Sequence, residues 1–205
     1  MENMKSLKDK ITLVILGRSG SGKGTQARFL LQRFGRKNSH HMETGRFLRE
    51  LLKKNNHTSR IVRRWMEQGR LFPSWLPVYT WLKELIEKGA SEKNLVFDGA
   101  PRRIWEAELL DEVMQCYNRP LPICIYIDLS IKEATARLFK RGRADDVPSS
   151  IRNRLSFFEK DVLPVMKYYQ KRKRLLKVDG NFLENKVRQD IDRVLVKRLG
   201  KFWAK

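Results

Sequence analysis

The residues best suited to chemistry stand near the start of the chain. Gly17-Arg18-Ser19-Gly20-Ser21-Gly22-Lys23-Gly24-Thr25 follows an apolar run and precedes a helical pattern. Glycines at these spacings let the backbone wind so tightly that several N–H groups converge on one phosphate. The positive end of the next helix adds to them, and Lys23 supplies a mobile cation for the outer phosphates. The segment reads as a nucleoside triphosphate cradle with Gly20, Ser21, Gly22, Lys23, Gly24 and Thr25 as its contacts. The strict form of the motif puts Ser or Thr directly after the lysine; here Gly24 intervenes. Further on, Asp98-Gly99-Ala100-Pro101-Arg102 closes a short apolar run. A carboxylate at that place is costly to hold without a cation. Mg2+ carried by the nucleotide is the natural partner, and because the ion keeps most of its waters, Asp98 is expected to touch it through water.

Elements must position these groups. Apolar runs at Ile11–Leu16, Asn94–Phe97 and Ile123–Ile127, with a weaker one at Leu175–Val178, read as buried strands. Helical patterns fill the gaps: Thr25–Phe34, Trp75–Lys88, Arg103–Tyr117, Lys132–Arg141, Ser149–Lys171 and Phe182–Leu199. Strands alternating with helices predict βαβ units and a parallel sheet, with ligands beyond the carboxyl ends of its strands. No repeat or linker-like stretch divides the 205 residues, so one α/β domain over 1–205 is expected.

Composition narrows the classes without choosing among them. The 44 Lys and Arg against 23 Asp and Glu leave a formal charge of +21, which favours anionic partners: nucleotides, nucleic acid or acidic lipid. No apolar run approaches the ~18 residues of a membrane span, and no secretory signal pattern opens the sequence. Two cysteines without a metal-binding pattern make a reducing, cytoplasmic setting the expectation.

Three segments in order, the glycine-rich loop, Thr44-Gly45-Arg46-Phe47-Leu48-Arg49 and Asp98-Gly99-Ala100-Pro101-Arg102, resemble the adenylate kinase branch of the nucleoside monophosphate kinases. The resemblance covers nearly the whole chain. It implies a P-loop three-layer sandwich with a five-stranded parallel sheet, a helical monophosphate-binding insertion at 39–72 and a short lid at 141–148. It implies Mg-dependent transfer from ATP to AMP, giving two ADP, in a cytoplasmic monomer. By the same resemblance Lys23 serves the donor's outer phosphates, and Arg49 and Arg102 hold the acceptor phosphate. Arg141, Arg143 and Arg154 surround the group in flight, and Arg137 lies against the donor adenine. Thr44, Phe72, Gly99 and Glu106 belong to the acceptor pocket. Arginine suits the work because its planar fork grips phosphate at two points and keeps its charge. Asp145 and Asp146 are expected to pair with lid or core arginines.

Four departures from the family pattern bear on function. Ser19 replaces a proline in the loop. Glu43 and Arg46 replace a serine and an aspartate beside Thr44-Gly45, reversing charge near the acceptor site. Only Gly142 separates Arg141 from Arg143, so the lid is very short, which predicts weak gating and easier entry of water. Glu106 stands where the family has a glutamine that reads the acceptor base. An amide can both donate to and accept from adenine, whereas a carboxylate only accepts and suits guanine better. AMP remains the favoured acceptor, with GMP, CMP or UMP as alternatives.

A rival reading is a nucleotide-gated P-loop protein of RNA or ribosomes, drawn from the basic cluster Lys171-Arg172-Lys173-Arg174, Lys177 and the late charges Arg193, Lys197, Arg198, Lys201 and Lys205. Solvated helix faces are the plainer account of those charges. His40, His41 and His57 lack metal-binding spacing and read as structural or surface residues. Trp65, Trp75, Trp81 and Trp105 read as packing residues.

Overall fold

The fold comes from a computed structural model whose described residues are 7, 9–143, 146–200 and 203. Five strands, β1 (Thr12–Gly17), β2 (Ser39–Glu43), β3 (Asn94–Asp98), β4 (Ile123–Asp128) and β5 (Leu175–Asp179), form one parallel sheet in the order β2-β3-β1-β4-β5. Every residue of the central β1 is buried, as a strand covered on both faces requires. The edge strand β2 has no such pattern. Its sequence, SHHME, buries only Ser39 and Met42, so periodicity could not reveal it.

Alternation along the strands divides the core. Leu13, Ile15, Val96, Ile125 and Ile127 face one layer of helices, α1 (Lys23–Phe34) and α9 (Glu184–Leu199), through Ala27, Leu30, Val187, Ile191 and Leu195. Val14, Leu16, Leu95, Phe97 and Tyr126 face the other layer. It comprises α4 (Trp75–Glu87), α5 (Ile104–Cys116) and α8 (Leu163–Lys171), and contributes Trp81, Leu85, Leu110, Met114, Val165 and Tyr169. The three-layer sandwich is the expected one. After β2 the chain adds α2 (Thr44–Leu52) and α3 (His57–Glu67), whose Leu48 and Val62 pack against Leu76 of α4 in a separate small cluster.

The single helix expected over 149–171 is α7 (Pro148–Phe157), a π-turn at Phe158–Val162, and α8. Pro164 explains the widening: it brings no N–H to the ladder, and its ring clashes with the carbonyl four residues back. The last helix begins at Glu184 rather than Phe182, leaving Phe182 and Leu183 in the loop after β5.

Two expectations need correction. Trp81 is core, but Trp75 and Trp105 are about half exposed, since each lies on the outer face of its helix. Of the basic cluster after Tyr169 only Arg174 leaves the surface, while Lys171, Arg172, Lys173 and Lys177 are exposed. Arg174 is buried, paired with Asp111 and donating to the carbonyl of Pro122 at 3.1 Å, while Arg172 lies over the Tyr168 ring at 3.6 Å. Lys201 and Lys205 lie outside the described residues.

Candidate active site

The loop between β1 and α1 turns through Gly20 and Gly22, at φ 88° and 83°, a region that favours glycine. At Gly20 a Cβ would also come within 2.9 Å of the Ala134 carbonyl oxygen. The Lys23 amine folds back over this loop, donating to the carbonyls of Gly17 at 2.9 Å and Arg18 at 2.8 Å. Burial pulls its pKa down to about 8, against the opposing pull of Asp98 and with the help of Arg102 and Arg141. Gly24 has its own reason. A Cβ there would stand 3.3 Å from an Asp98 carboxylate oxygen, so glycine is what lets β3's terminal carboxylate lie against the first turn of α1. Ser21 departs from expectation: its hydroxyl is buried without a partner and its N–H donates to the Arg18 carbonyl, so it braces the loop from beneath.

The acceptor side is built by β2, α2 and the loop after β3. Gly45 and Arg49 are one helical turn apart, and the guanidinium lies over the glycine, where a Cβ would be 3.1 Å from its nitrogen. Arg49 donates to Glu43 at 2.7 Å. Glu43 and Asp98 are register partners on adjacent strands, so two carboxylates close this edge of the sheet. Arg102 sits over the Phe157 ring at 5.5 Å, its pKa lowered by burial while Glu106 and Asp98 pull the other way. Glu106 is buried, and one of its oxygens accepts from the Arg102 N–H at 2.6 Å. Phe72 stacks on Trp65 at 6.1 Å, and Arg103 fixes that loop by donating to the Phe72 carbonyl at 2.9 Å.

The third wall comes from α6 (Ile131–Arg141) and α7. Asp146, its side chain 1% exposed, accepts from Arg141 at 2.8 and 2.6 Å and from Arg154 at 2.8 Å. The Arg143 N–H reaches the same carboxylate at 3.3 Å. Burial alone would raise this carboxyl's pKa, but the bonds and charge of Arg141, with Arg143 and Arg154, hold it below the usual range. Asp145 lies outside the described residues. Arg137 pairs with Glu133 at 2.7 Å and reaches the Phe182 carbonyl at 3.5 Å.

All three walls enclose one cleft of about 890 Å³. Gly20, Gly22, Lys23, Gly24, Thr25, Thr44, Arg49, Phe72, Asp98, Gly99, Arg102, Glu106, Arg137, Arg141, Arg143 and Arg154 all line it; Ser21 alone of the expected residues does not. Ten Lys and Arg against five Asp and Glu on the walls make it a site for anions. Sequence reasoning missed His41, Phe182 and Leu183 among its lining. His41 has a buried, unpartnered Nε2, and burial lowers its pKa. Phe182 and Leu183 follow the carboxyl end of β5, where ligands of such sheets are expected, and that rule could have found them.

Among the described residues no group of three or more His, Cys, Asp or Glu could hold a metal ion directly. Asp98, a hard oxygen donor beside the phosphate loop and Lys23, fits an ion that arrives with the nucleotide and keeps its waters.

The family model described as adenylate kinase matches residues 15–174. An adenylate kinase of Azobacteroides pseudotrichonymphae is 30% identical over 191 residues, covering 91% of this chain and 96% of that protein. Adenylate kinase 1 of a Nostoc species is 30% identical, with 89% and 97% covered. UMP-CMP kinase 1 of Oryza sativa is 36% identical, with 89% and 73% covered.

Proposed function

The chain belongs to the adenylate kinase family, and from that premise we propose that it transfers the terminal phosphoryl group of ATP reversibly to AMP, giving two ADP. One observation carries the reading: Lys23, Arg102, Arg141, Arg143 and Arg154 come from separate elements yet line one cleft, between a triphosphate cradle and a second pocket headed by Arg49.

The donor's outer phosphates lie on the loop N–H groups and Lys23, with Gly20, Gly22, Gly24 and Thr25 around them and the adenine against Arg137. The acceptor's phosphate lies between Arg49 and Arg102, with Thr44, Gly99, Phe72 and Glu106 around its nucleoside. Arg141, Arg143 and Arg154 face the group in flight. An acceptor phosphate oxygen attacks the γ-phosphorus in line, the bond to the β-phosphate oxygen breaks, and ADP leaves with that electron pair. No protein nucleophile is needed; positioning and fixed cations do the work. Asp146 serves by holding Arg141 and Arg154 in place before the phosphates arrive. Bound with the nucleotide, Mg2+ supplies neutralisation of phosphate charge, and Asp98 would hold it through water.

The insertion at 39–72 forms the acceptor pocket, and the short lid at 141–148 is braced by Asp146. Cys116 and Cys124 are free thiols, which suits a reducing, cytoplasmic setting. Among the described residues no helix is long and apolar enough to cross a membrane.

Purified protein supplied with ATP, Mg2+ and AMP should form ADP from both nucleotides, and Lys23→Ala should abolish this. Absence of AMP-dependent ADP formation overturns the proposal. The acceptor-only carboxylate of Glu106 favours a second reading, another monophosphate as acceptor, so GMP, CMP and UMP belong in the same panel.

A further inference from the structure

Helix α3 turns two unlike faces. Ser59 and Val62 are buried against the rest of the insertion, while Arg60, Arg63, Arg64 and Glu67 fall on the opposite side and are exposed. Arg60 and Arg64 are four residues apart, about 6 Å along the axis, with Arg63 beside them. Arg63 also donates to the Leu52 carbonyl at 3.3 Å, which joins the stripe to Lys53 and Lys54 at the end of α2.

Two other helices neutralise part of their basic charge, though among the described residues Lys197 and Arg198 on α9 stay unpaired. Lys83 and Lys88 pair with Glu87 and Glu84 on α4, and Lys186 and Arg193 share Asp190 on α9. On α3 the neighbours of Arg60 at helical spacing are two more arginines, an arrangement that opposes the helix. Among the described residues no carboxylate lies within 4 Å of Lys54, Arg60, Arg63 or Arg64. From 44 to 72 eight basic side chains stand against two acidic ones, and Lys53 already holds one of those, Glu50. None of the three arginines lines the cleft, so phosphotransfer gives them no task.

We propose that this stripe is a docking surface for the phosphate backbone of single-stranded nucleic acid. A polyanion laid along it relieves the repulsion between the arginines and releases its own counterions. A lipid surface fits less well, because Ile61, 41% exposed, is the one sizeable apolar group beside the stripe and a bilayer asks for a broad apolar face. The proposal is independent of the cleft and of the acceptor it takes.

The test is fluorescence anisotropy of labelled oligouridylate and its deoxy counterpart with the full chain, across a salt series. Three or four neutralised phosphates at about 0.7 each give a log–log salt slope of roughly −2 to −3, or about a 20- to 50-fold loss of affinity between 50 and 200 mM salt. Arg60→Glu with Arg64→Glu should weaken binding at least about tenfold and flatten the slope by roughly 1.4. ATP–AMP turnover should stay within about twofold, since neither residue touches the cleft. Arg60→Gln with Arg64→Gln, gentler on the helix, should shift binding in the same direction. Lys197→Glu with Arg198→Glu makes the same change of charge on α9, which packs by β5 at the far edge of the sheet from α2, and should leave most of the binding intact. Equal binding of RNA and DNA assigns the recognition to phosphate alone; preference for RNA adds the 2′-hydroxyl. The proposal falls if neither oligonucleotide binds at low salt, if the α9 variant loses as much as the α3 variant, or if anionic vesicles bind and oligonucleotides do not.

Discussion

Replacing Glu43 with glutamine should tighten binding of the acceptor monophosphate. The carboxylate holds the Arg49 guanidinium at 2.7 Å, and that guanidinium is the group proposed to receive the acceptor's phosphate. The two side chains are 26% and 42% exposed, so releasing the pair costs at most about 1 kcal/mol. A phosphate on the other side of the same guanidinium would lie roughly 6 to 8 Å from the carboxylate. At the high effective dielectric of a half-exposed cleft, that repulsion contributes about another 1 kcal/mol. Together they set a penalty of about 1 to 2 kcal/mol, or roughly five- to thirtyfold in affinity. Glu43→Gln keeps the shape and removes the charge. Steady-state kinetics should show KM for AMP falling by that factor, KM for ATP unmoved and kcat within about threefold, with calorimetric binding of AMP following KM. An unchanged or higher KM for AMP would refute the reasoning, and would mean that Glu43 aims Arg49 at the phosphate instead of competing for it.

Three other outcomes follow from particular contacts. Lys23, pulled down to about 8, is partly neutral near that pH in the protein alone, and a bound triphosphate restores its charge. ATP binding should therefore take up protons near pH 8 and weaken as pH rises further, visible by calorimetry in buffers of different ionisation enthalpy; binding without proton uptake shows an amine already charged. The same depressed lysine makes the charged form unfavourable in the fold. Its destabilisation is complete below pH 8 and is relieved as pH climbs from 8 towards the ordinary 10.5, so without nucleotide its contribution to stability should rise over that window. Glu106→Gln should raise AMP efficiency relative to GMP by about fivefold or more, because the amide can donate to adenine where the carboxylate cannot; an unmoved ratio removes Glu106 from base reading. Asp111→Ala strands the buried Arg174 and should cost about 3 to 5 kcal/mol, a fall in melting temperature on the order of 10 °C for a chain of this size, whereas melting at the wild-type temperature would mean that Arg174 finds water.

What the sequence determined by itself is local. The phosphate loop was legible because its strand, glycines, lysine and helix are consecutive, and the backbone conformation that makes a phosphate nest is fixed by residues within a few positions of one another. Asp98 was legible for the same reason, since a short apolar run ending in Asp-Gly marks a strand's carboxyl end. The central strands declared themselves because burial on both faces leaves an unbroken apolar run. At the edge β2 needs only Ser39 and Met42 to face inward, so nothing in SHHME marks it as a strand. Arginines are where local reasoning stops. In a chain of net charge +21 they look alike, and the resemblance, not their own pattern, singled some of them out. Their tasks depend on which carboxylate the fold brings to each: Asp111, 63 positions away, makes Arg174 a core residue, Glu43 gives Arg49 a competitor, and Asp146 holds Arg141 and Arg154, which line the same cleft as Lys23. Guanidinium reach is set by the long side chain and its charge by whichever carboxylate folding brings near, so only the tertiary structure decides which arginines grip phosphate, which hold the fold, and which on α3 are left facing solvent.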